Sequence, residues 1–325
     1  MNENLGRTVK LFLIDGVPNG LLTCEIMNWT GHVITGPRSR LGALVQRPET
    51  SKSGVYFLVG TEQASGVGIQ VYIGETEDAA KRLAAHNRPE DKGGKDFWER
   101  VCFVTSKDAN LTKGHVKYLE SRLIALALQA QRCELLNSTE PIYSGLPEAD
   151  LSDMEYFLTQ IQTLLPVLGY DFLRPAPQLQ KATPPAGLDT QDLAEVSPVF
   201  VGDVPRHGIT ASAQEINDEF IVLKGSKSRL SWEGVPGGYQ ALFENLVELG
   251  VLVVSPCGKL REFARDYSFS SPSAAAAVVA GRSANGRTHW TVPELGVTYG
   301  DWQERLVSDA LGRLAARAGA QDESA

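Results

Sequence analysis

Apolar residues in the first half of the chain follow two different periods. Short continuous apolar runs, which are typical of buried strands, occupy 54–60, 70–74 and 99–105. Apolar residues three and four positions apart, which are typical of helices with one buried face, occur over 77–87, 112–131 and 148–168. The pattern predicts an α+β domain in which helices flank a small, mainly antiparallel three-stranded sheet.

The second half of the chain predicts a separate, small α+β domain after a linker. Prolines gather in 175–204 together with acidic residues, and such a composition is typical of a connecting segment. A strand over 220–223 and an amphipathic helix over 239–249 follow it. An alanine-rich helix comes next, and Ser271 or Ser273 is expected to cap its start.

Changes in composition divide the chain into six predicted segments. They are a leader or cap over 1–51, a first domain over 52–142, a helix packed on that domain over 143–174, an acidic Pro-rich linker over 175–204, a second domain over 205–295, and a terminal helix and tail over 296–325. The leader carries a β-rich run at 8–14 and further short strand or helix signals.

Composition and charge are typical of a globular protein of a reducing cytoplasm. The formal net charge is −8, but the acidity lies mostly in residues 143–204, so local basic patches on the domains remain compatible with it. No apolar run reaches the roughly 18 residues of a membrane helix, and the N-terminus lacks the apolar segment of a signal peptide. The four cysteines are far apart and form no CxxC, which argues against a disulfide framework or a zinc site. We therefore expect a cytoplasmic protein with no membrane partner.

Polar residues stand at positions where strands and helices normally bury apolar side chains. Tyr56 and Tyr72 lie in the first two predicted strands, and Arg82 and His86 share one face of the following helix. Glu120 falls within the apolar arc of the longer helix, and a buried carboxylate needs a partner or a metal ion. Taken singly, each residue also has a structural explanation: two core tyrosines, an ion pair between the arginine and the glutamate, and a histidine at a helix end.

A set of residues at fixed spacing resembles the GIY-YIG nuclease domain. The set comprises Gly54-Val55-Tyr56, Tyr72-Ile73-Gly74, Arg82, His86, Glu120 and Asn137. The arginine stands eight residues after the second tripeptide, the histidine four residues later, and the glutamate in a Leu-Glu-x-x-Leu-Ile context. The one departure is Val55, which replaces isoleucine. The resemblance implies that both tyrosines, the arginine, the histidine, the glutamate and the asparagine are catalytic residues.

The resemblance also implies a metal-dependent endonuclease that hydrolyses phosphodiester bonds in DNA. Glu120 would be the ligand of a single Mg²⁺ or Mn²⁺ ion, and the planar fork of Arg82 would bind phosphate. Tyr56 would act as the general base with help from His86, and Tyr72 would position water or phosphate, although the base is not the same in every account of the family. A tyrosine beside an arginine and a metal ion is expected to have a lowered pKa.

Two further segments have their own resemblances. The pattern SPSAAA…G…NG…W over 271–290 resembles a small domain of unknown function that recurs behind GIY-YIG nucleases, and it is similar to a module attached to restriction and DNA-methylation enzymes. The resemblance implies contact with DNA, including modified DNA, with a protein-docking or structural domain as the alternative. The leader is similar to segments found before GIY-YIG domains in bacterial proteins.

Basic and small residues around these segments are predicted to contact nucleic acid. In the first domain they are Gly74, Lys81, Lys92, Lys95, Lys113 and Lys117, and in the second domain they are Lys224, Lys227, Arg229, Arg282 and Arg287. For each single lysine or arginine, a solvated surface position is the alternative interpretation.

Three hypotheses about function remain open at this point. The first is a DNA endonuclease acting in restriction, phage defence or genome maintenance. The second is a nucleic-acid-binding module with the nuclease fold but little activity, against which the complete set of site residues argues. The third is a nuclease that acts on RNA. The sequence leaves the oligomeric state open, and a homodimer is one option.

Overall fold

The chain folds into two compact units, residues 1–176 and 177–325. A computed structural model describes residues 6–61, 69–137, 145–174, 197–216 and 219–322. The predicted loop between the first two apolar strands and most of the predicted linker lie outside these ranges. Both units mix helices with sheets, so the predicted α+β class is confirmed at that level.

The first unit is organised around a seven-stranded sheet. Its strands are β1 (Val9–Leu13), β2 (Leu22–Ile26), β3 (Gly31–Pro37), β4 (Gly54–Thr61), β5 (Ile69–Thr76), β6 (Arg100–Ser106) and β7 (Glu134–Leu135). They lie in the order β1-β2-β3-β6-β4-β5-β7, and every neighbouring pair is antiparallel except β5 and β7.

The predicted size of this sheet is wrong, although its three predicted strands are present as β4, β5 and β6. The leader adds strands because β3 pairs with β6 over its full length, from Gly31 opposite Ser106 to Pro37 opposite Arg100. Cys24 and Val33 of the leader are buried in the same core as the rest of the sheet. The leader therefore belongs to the sheet that carries the candidate site.

Four helices cover the two faces of this sheet: α1 (Leu41–Leu44), α2 (Ala79–His86), α3 (Lys113–Ala130) and α4 (Glu148–Val167). Alternate residues of β4 serve the two faces, as strand geometry requires. Val55 and Phe57 are buried in the core that contains the apolar residues of α3 and α4, whereas Tyr56 and Leu58 are buried with α2. Tyr56 thus faces the helix that carries the predicted arginine and histidine.

The starts of α2 and α3 are fixed by side chains. The carboxylate of Asp78 accepts a hydrogen bond from the backbone N–H of Lys81, and Thr112 and His115 form a reciprocal capping box. These caps set where each helix begins and therefore which residues it turns towards the sheet.

The second unit contains a six-stranded and a three-stranded sheet. The six strands are β8 (Phe200–Val204), β9 (Ile209–Ile216), β10 (Glu219–Val222), β14 (Tyr267–Phe269), β15 (Trp290–Val292) and β16 (Val297–Thr298), in the order β14-β10-β9-β8-β15-β16. The three strands are β11 (Lys227–Arg229), β12 (Leu252–Val254) and β13 (Leu260–Phe263), in the order β11-β13-β12.

The core of the second unit contains the alanine-rich helix. The helices of this unit are α5 (Gly238–Glu248), α6 (Pro272–Ala280), α7 (Gly286–His289) and α8 (Tyr299–Asp322). Ser271 caps α6 by accepting a hydrogen bond from Ala274, which confirms the predicted cap, while Ser273 accepts from the backbone N–H of Gly286. Every residue of α6 from Ala274 onward is buried. The small alanine side chains allow α5 and the strands of both sheets to pack closely against this helix.

None of the helices in the described ranges is long and apolar enough to cross a membrane.

Candidate functional site

The two tripeptides of the sequence motif lie side by side in the sheet. Tyr56 on β4 is directly opposite Gly74 on β5. A Cβ atom at position 74 would lie 2.3 Å from the Tyr56 hydroxyl oxygen, so a glycine is needed for the tyrosine ring to lie over the neighbouring strand. The closeness of these two residues explains why a tyrosine on one strand and a glycine on the next occur together.

The hydroxyl group of Tyr56 is the centre of a buried hydrogen-bond chain. It lies 2.7 Å from Nε2 of His86 and accepts a hydrogen bond of 3.2 Å from Nε of Arg82. Tyr56 and His86 are buried, whereas Arg82 is exposed, so the arginine extends from the buried hydroxyl to solvent. Residues 82 and 86 reach one atom because they are one helical turn apart on α2.

Tyr72 completes this group, which we call the Tyr56 cluster (Tyr56, Tyr72, Arg82 and His86). The ring centroid of Tyr72 lies 6.2 Å from that of Tyr56 and 5.5 Å from that of His86. The ammonium group of Lys95 lies 4.1 Å above the Tyr72 ring, a cation–π arrangement. The structure thus brings together four residues that the sequence placed up to 30 positions apart.

Burial sets the charge state of the Tyr56 cluster. It raises the pKa of Tyr56, with a further contribution from Tyr72, and the hydrogen bond from Arg82 does not offset it. Burial also lowers the pKa of His86 to about 4, helped by the positive charges of Arg82 and Lys95. The arginine alone therefore does not produce, at Tyr56, the lowered tyrosine pKa that was expected beside an arginine and a metal ion. Near neutral pH the cluster holds a neutral phenol, a neutral imidazole and a cationic guanidinium.

The lowered pKa of His86 predicts a specific loss of stability in acid. Because His86 is neutral when folded and takes up a proton near pH 6.5 when unfolded, its contribution is complete above pH 6.5 and is lost as the pH falls towards 4. The free energy of unfolding should fall by up to about 1.4 kcal/mol per pH unit in this window. Urea unfolding of the wild type and His86→Gln at several pH values tests this. Parallel pH profiles for the two proteins would contradict it.

Glu120 lies beside the edge of β5. Three residues in succession, Leu136, Asn137 and Glu120, form hydrogen bonds with the backbone of this strand. The backbone N–H of Leu136 donates to Val71 O at 2.9 Å. Asn137 then accepts from the N–H of Ile73 at 3.0 Å and donates to its carbonyl at 2.7 Å. Finally, the Glu120 carboxylate accepts from the N–H of Glu75 at 3.2 Å. Glu120 is therefore fixed by the backbone of the strand that carries Tyr72.

The surroundings of the Glu120 carboxylate disfavour its negatively charged form. Burial and the negative charge of Glu75 raise its pKa, while Arg82 and Lys113 act in the opposite direction. Glu75 was not among the predicted site residues. It directly follows the second tripeptide, and its side chain pairs with Lys113 at 2.8 Å. Two carboxylates at one strand end form a position where added positive charge would be favourable.

Asn137 has a supporting position at this edge, since both of its side-chain contacts are to the backbone of Ile73. We expect Asn137→Asp to destabilise the first unit by about 1–3 kcal/mol, because the new carboxylate cannot donate to the Ile73 carbonyl. Thermal unfolding measures this, and Asn28→Asp, at an exposed turn position, is the control. An unchanged unfolding temperature would show that the asparagine does not hold the strand.

The predicted basic rim of the first unit is divided between paired and exposed residues. Lys81 pairs with Asp78 at 2.8 Å, and Lys113 is held by Glu75. Lys92 and Lys117 are exposed, and Lys95 lies over the ring of Tyr72. Lys95 is thus the lysine of this set that directly contacts the Tyr56 cluster.

The predicted basic residues of the second unit have varied surroundings. Lys224 and Arg282 are exposed. The other three pair with acidic neighbours: Lys227 with Glu262, Arg229 with Glu233, and Arg287 with Glu304. A phosphate group would have to compete with these carboxylates, and DNA contact by this unit stays a prediction.

Comparison with known proteins gives one match. Residues 203–303 match the family model of a domain of unknown function (DUF4357). The matched range contains the whole of the predicted second domain, 205–295. No curated protein and no solved structure matches the chain.

Proposed function

We propose that the chain is a metal-dependent endonuclease that hydrolyses phosphodiester bonds in DNA at the Tyr56 cluster and Glu120. The observation that carries the proposal is the buried Tyr56 hydroxyl, which contacts both Arg82 and neutral His86. The buried Tyr170 hydroxyl also has two partners, Thr35 and Arg100. Tyr56 differs because its second partner is a histidine, which can take up the hydroxyl proton. The arrangement suits a residue that must exchange a proton beside a bound anion.

Hydrogen-bond directions assign a role to each member of the cluster. Because Nε of Arg82 donates to the Tyr56 oxygen, the hydroxyl proton of Tyr56 is free to point at Nε2 of His86. Neutral imidazole accepts that hydrogen bond and orients the hydroxyl. The exposed end of Arg82 can bind the non-bridging oxygens of a phosphodiester. Tyr56 passes its proton through His86 to solvent, and the resulting phenolate takes a proton from the attacking water, while Tyr72 positions the water or the phosphate. As the water oxygen bonds to phosphorus, the bond to the leaving sugar oxygen breaks, and that oxygen takes up a proton from solvent.

The raised pKa of Tyr56 makes the base dependent on added positive charge. Arg82 alone does not offset the burial of the phenol. A divalent cation beside Glu120 would supply the missing charge, lower the pKa of Tyr56 and stabilise negative charge on the phosphoryl group. The site is thereby expected to be inactive until cation and substrate are both bound.

Glu120 fits a Mg²⁺ or Mn²⁺ ion. Its carboxylate is a hard oxygen donor, and burial together with the neighbouring charge of Glu75 raises its pKa. A cation would offset the energetic cost of burying the charged carboxylate and the repulsion between Glu120 and Glu75. Among the described residues, no three His, Cys, Asp or Glu side chains come together as a larger metal site. Mg²⁺ keeps several water ligands and commonly takes one or two carboxylates together with phosphate, which matches this donor set.

The function is tested by incubating the full chain with a panel of nucleic acids. Supercoiled, linear, single-stranded and methylated DNA, and an RNA of matching sequence, should be compared in Mg²⁺, in Mn²⁺ and in EDTA. We expect cleavage of at least one DNA and none in EDTA. Cleavage of RNA alone would correct the substrate, and cleavage that persists in EDTA would contradict the metal requirement.

A further inference from the structure

The ammonium group of Lys95 lies over the ring of Tyr72 without a carboxylate partner. The distance from Nζ to the ring centroid is 4.1 Å. In the part of the chain that the structure describes, no Asp or Glu comes within ion-pair distance of Lys95, and its Nζ atom forms no hydrogen bond. The three N–H donors of the ammonium group are therefore available to a ligand.

The loop after α2 returns the chain to the end of that helix and so fixes the position of Lys95. The backbone N–H of Lys95 donates to the carbonyl of His86 at 2.9 Å. Gly93 has a φ of +79°, and a Cβ atom at position 94 would overlap the carbonyl oxygen of Arg88. Both glycines are needed for this tight return, because only glycine adopts the first conformation freely and leaves room at the second position.

Lys95 and Arg82 are close enough for their positive charges to act on each other. Burial and the charge of Arg82 lower the pKa of Lys95. Arg82 donates to the uncharged hydroxyl of Tyr56, and the carboxylate of Glu120 acts on it from beyond ion-pair distance. An anion is the kind of ligand that would offset the repulsion between these two cations.

The other lysines predicted to contact nucleic acid near the cluster are less suited to bind an anion. Lys81 pairs with Asp78, and Lys113 pairs with Glu75, each at 2.8 Å. An anion would have to compete with a carboxylate at either position. At Lys95 it would displace only water, because the ring of Tyr72 carries no charge while the phenol is protonated.

We propose that Lys95 and Arg82 together bind one phosphoryl group, which makes the Tyr56 cluster a site for phosphate monoesters and for inorganic phosphate. The guanidinium offers a planar fork to two phosphate oxygens, and the ammonium group is a compact charge that can turn towards a third. A phosphate monoester carries about two negative charges at neutral pH and matches these two cations. A phosphodiester carries one negative charge and should bind more weakly.

This preference deepens the proposed function, because hydrolysis of a phosphodiester leaves a terminal phosphate monoester. The new end of the cut strand would then bind to the same two cations and compete with uncut DNA. Only the source of the monoester rests on the proposed function, whereas the binding of inorganic phosphate requires no cleavage.

Calorimetric titration of the full chain with inorganic phosphate in EDTA tests the site without any divalent cation. We expect saturable binding by the wild type and binding about tenfold weaker or less by Lys95→Met, the loss expected for one charge-assisted hydrogen bond. Methionine keeps an unbranched side chain over the Tyr72 ring. The control is Arg88→Met, which removes one positive charge from an exposed position of the same loop.

Three results of this titration would overturn the proposal. They are a wild type without saturable binding, equal affinities for the wild type and Lys95→Met, and a loss of affinity in Arg88→Met as large as that in Lys95→Met. Phosphate binding that depends on Lys95 in a chain that cleaves no DNA would support this site and contradict the nuclease. Cleavage of DNA by a chain that does not bind phosphate would do the reverse.

Methyl phosphate and dimethyl phosphate test the preference for a monoester on the wild type, without any substitution. Methyl phosphate is a monoester and dimethyl phosphate is a diester with a single negative charge. We expect methyl phosphate to bind more tightly, since two cations face its second charge. Equal affinity for the two compounds, or tighter binding of dimethyl phosphate, would overturn the preference for monoesters.

Discussion

Tyr56→Phe is expected to lower the rate of DNA cleavage by about 10²- to 10⁴-fold, the range of a lost general base. Phenylalanine keeps the ring that packs over Gly74 but removes the hydroxyl oxygen to which Arg82 donates. His86 also loses its partner for Nε2. Single-turnover cleavage at saturating protein measures the chemical step, so that a change in DNA affinity does not enter the rate.

Tyr170→Phe is the matched control for this substitution. The hydroxyl of Tyr170 is also buried in the first unit, where it lies 2.8 Å from Thr35 Oγ1 and accepts from Nε of Arg100 at 3.2 Å. We expect Tyr170→Phe to lose stability to a similar extent as Tyr56→Phe and to cleave DNA at the wild-type rate. Equal rates for wild type and Tyr56→Phe would move the base to another residue.

Glu120→Gln is expected to abolish cleavage and metal binding while the protein keeps its stability. The amide oxygen of glutamine can still accept the hydrogen bond from Glu75 N–H, but the side chain is a poor ligand for Mg²⁺. Glu120→Ala should abolish the same activities and in addition cost about 1–3 kcal/mol, because a strand N–H loses its acceptor. Calorimetric titration with Mg²⁺, the cleavage rate and thermal unfolding separate the two effects.

The two variants also distinguish a catalytic role from a structural one. If the glutamine variant cleaves DNA normally and the alanine variant is only less stable, Glu120 serves the edge of β5 and not the chemistry. If both variants bind Mg²⁺ like the wild type, the metal ion lies elsewhere.

Local patterns in the sequence predicted the elements around the site, but not the size of the sheet. The apolar runs of β4, β5 and β6 and the periodicity of α2, α3 and α4 are properties of short stretches, and the bounds predicted from them lie within two residues of those observed. The pairing of β3 with β6 joins residues more than 60 positions apart. The residues of β3 and β6 do not by themselves indicate which strand each will pair with, so the strands that the leader adds to the sheet could not be predicted.

Spacing placed the site residues correctly relative to one another, whereas their partners depended on the fold. Residues 82 and 86 share a helix face in any helix, and the structure adds that both reach the Tyr56 hydroxyl. The effect of burial on the Tyr56 pKa could not be predicted, because a sequence does not display burial. The contact of Glu120 with the backbone of Glu75 was missed because it requires the position of a strand end relative to α3.

The most direct test of the proposed activity measures binding and cleavage on the same labelled DNA duplex in Mg²⁺, for the wild type and Tyr56→Phe side by side. We predict that both proteins bind the duplex with similar affinity and that only the wild type converts it to shorter products at an appreciable rate. Binding by both proteins with no product from either would contradict the account, and would assign the chain as a nucleic-acid-binding module with a nuclease-like arrangement of residues.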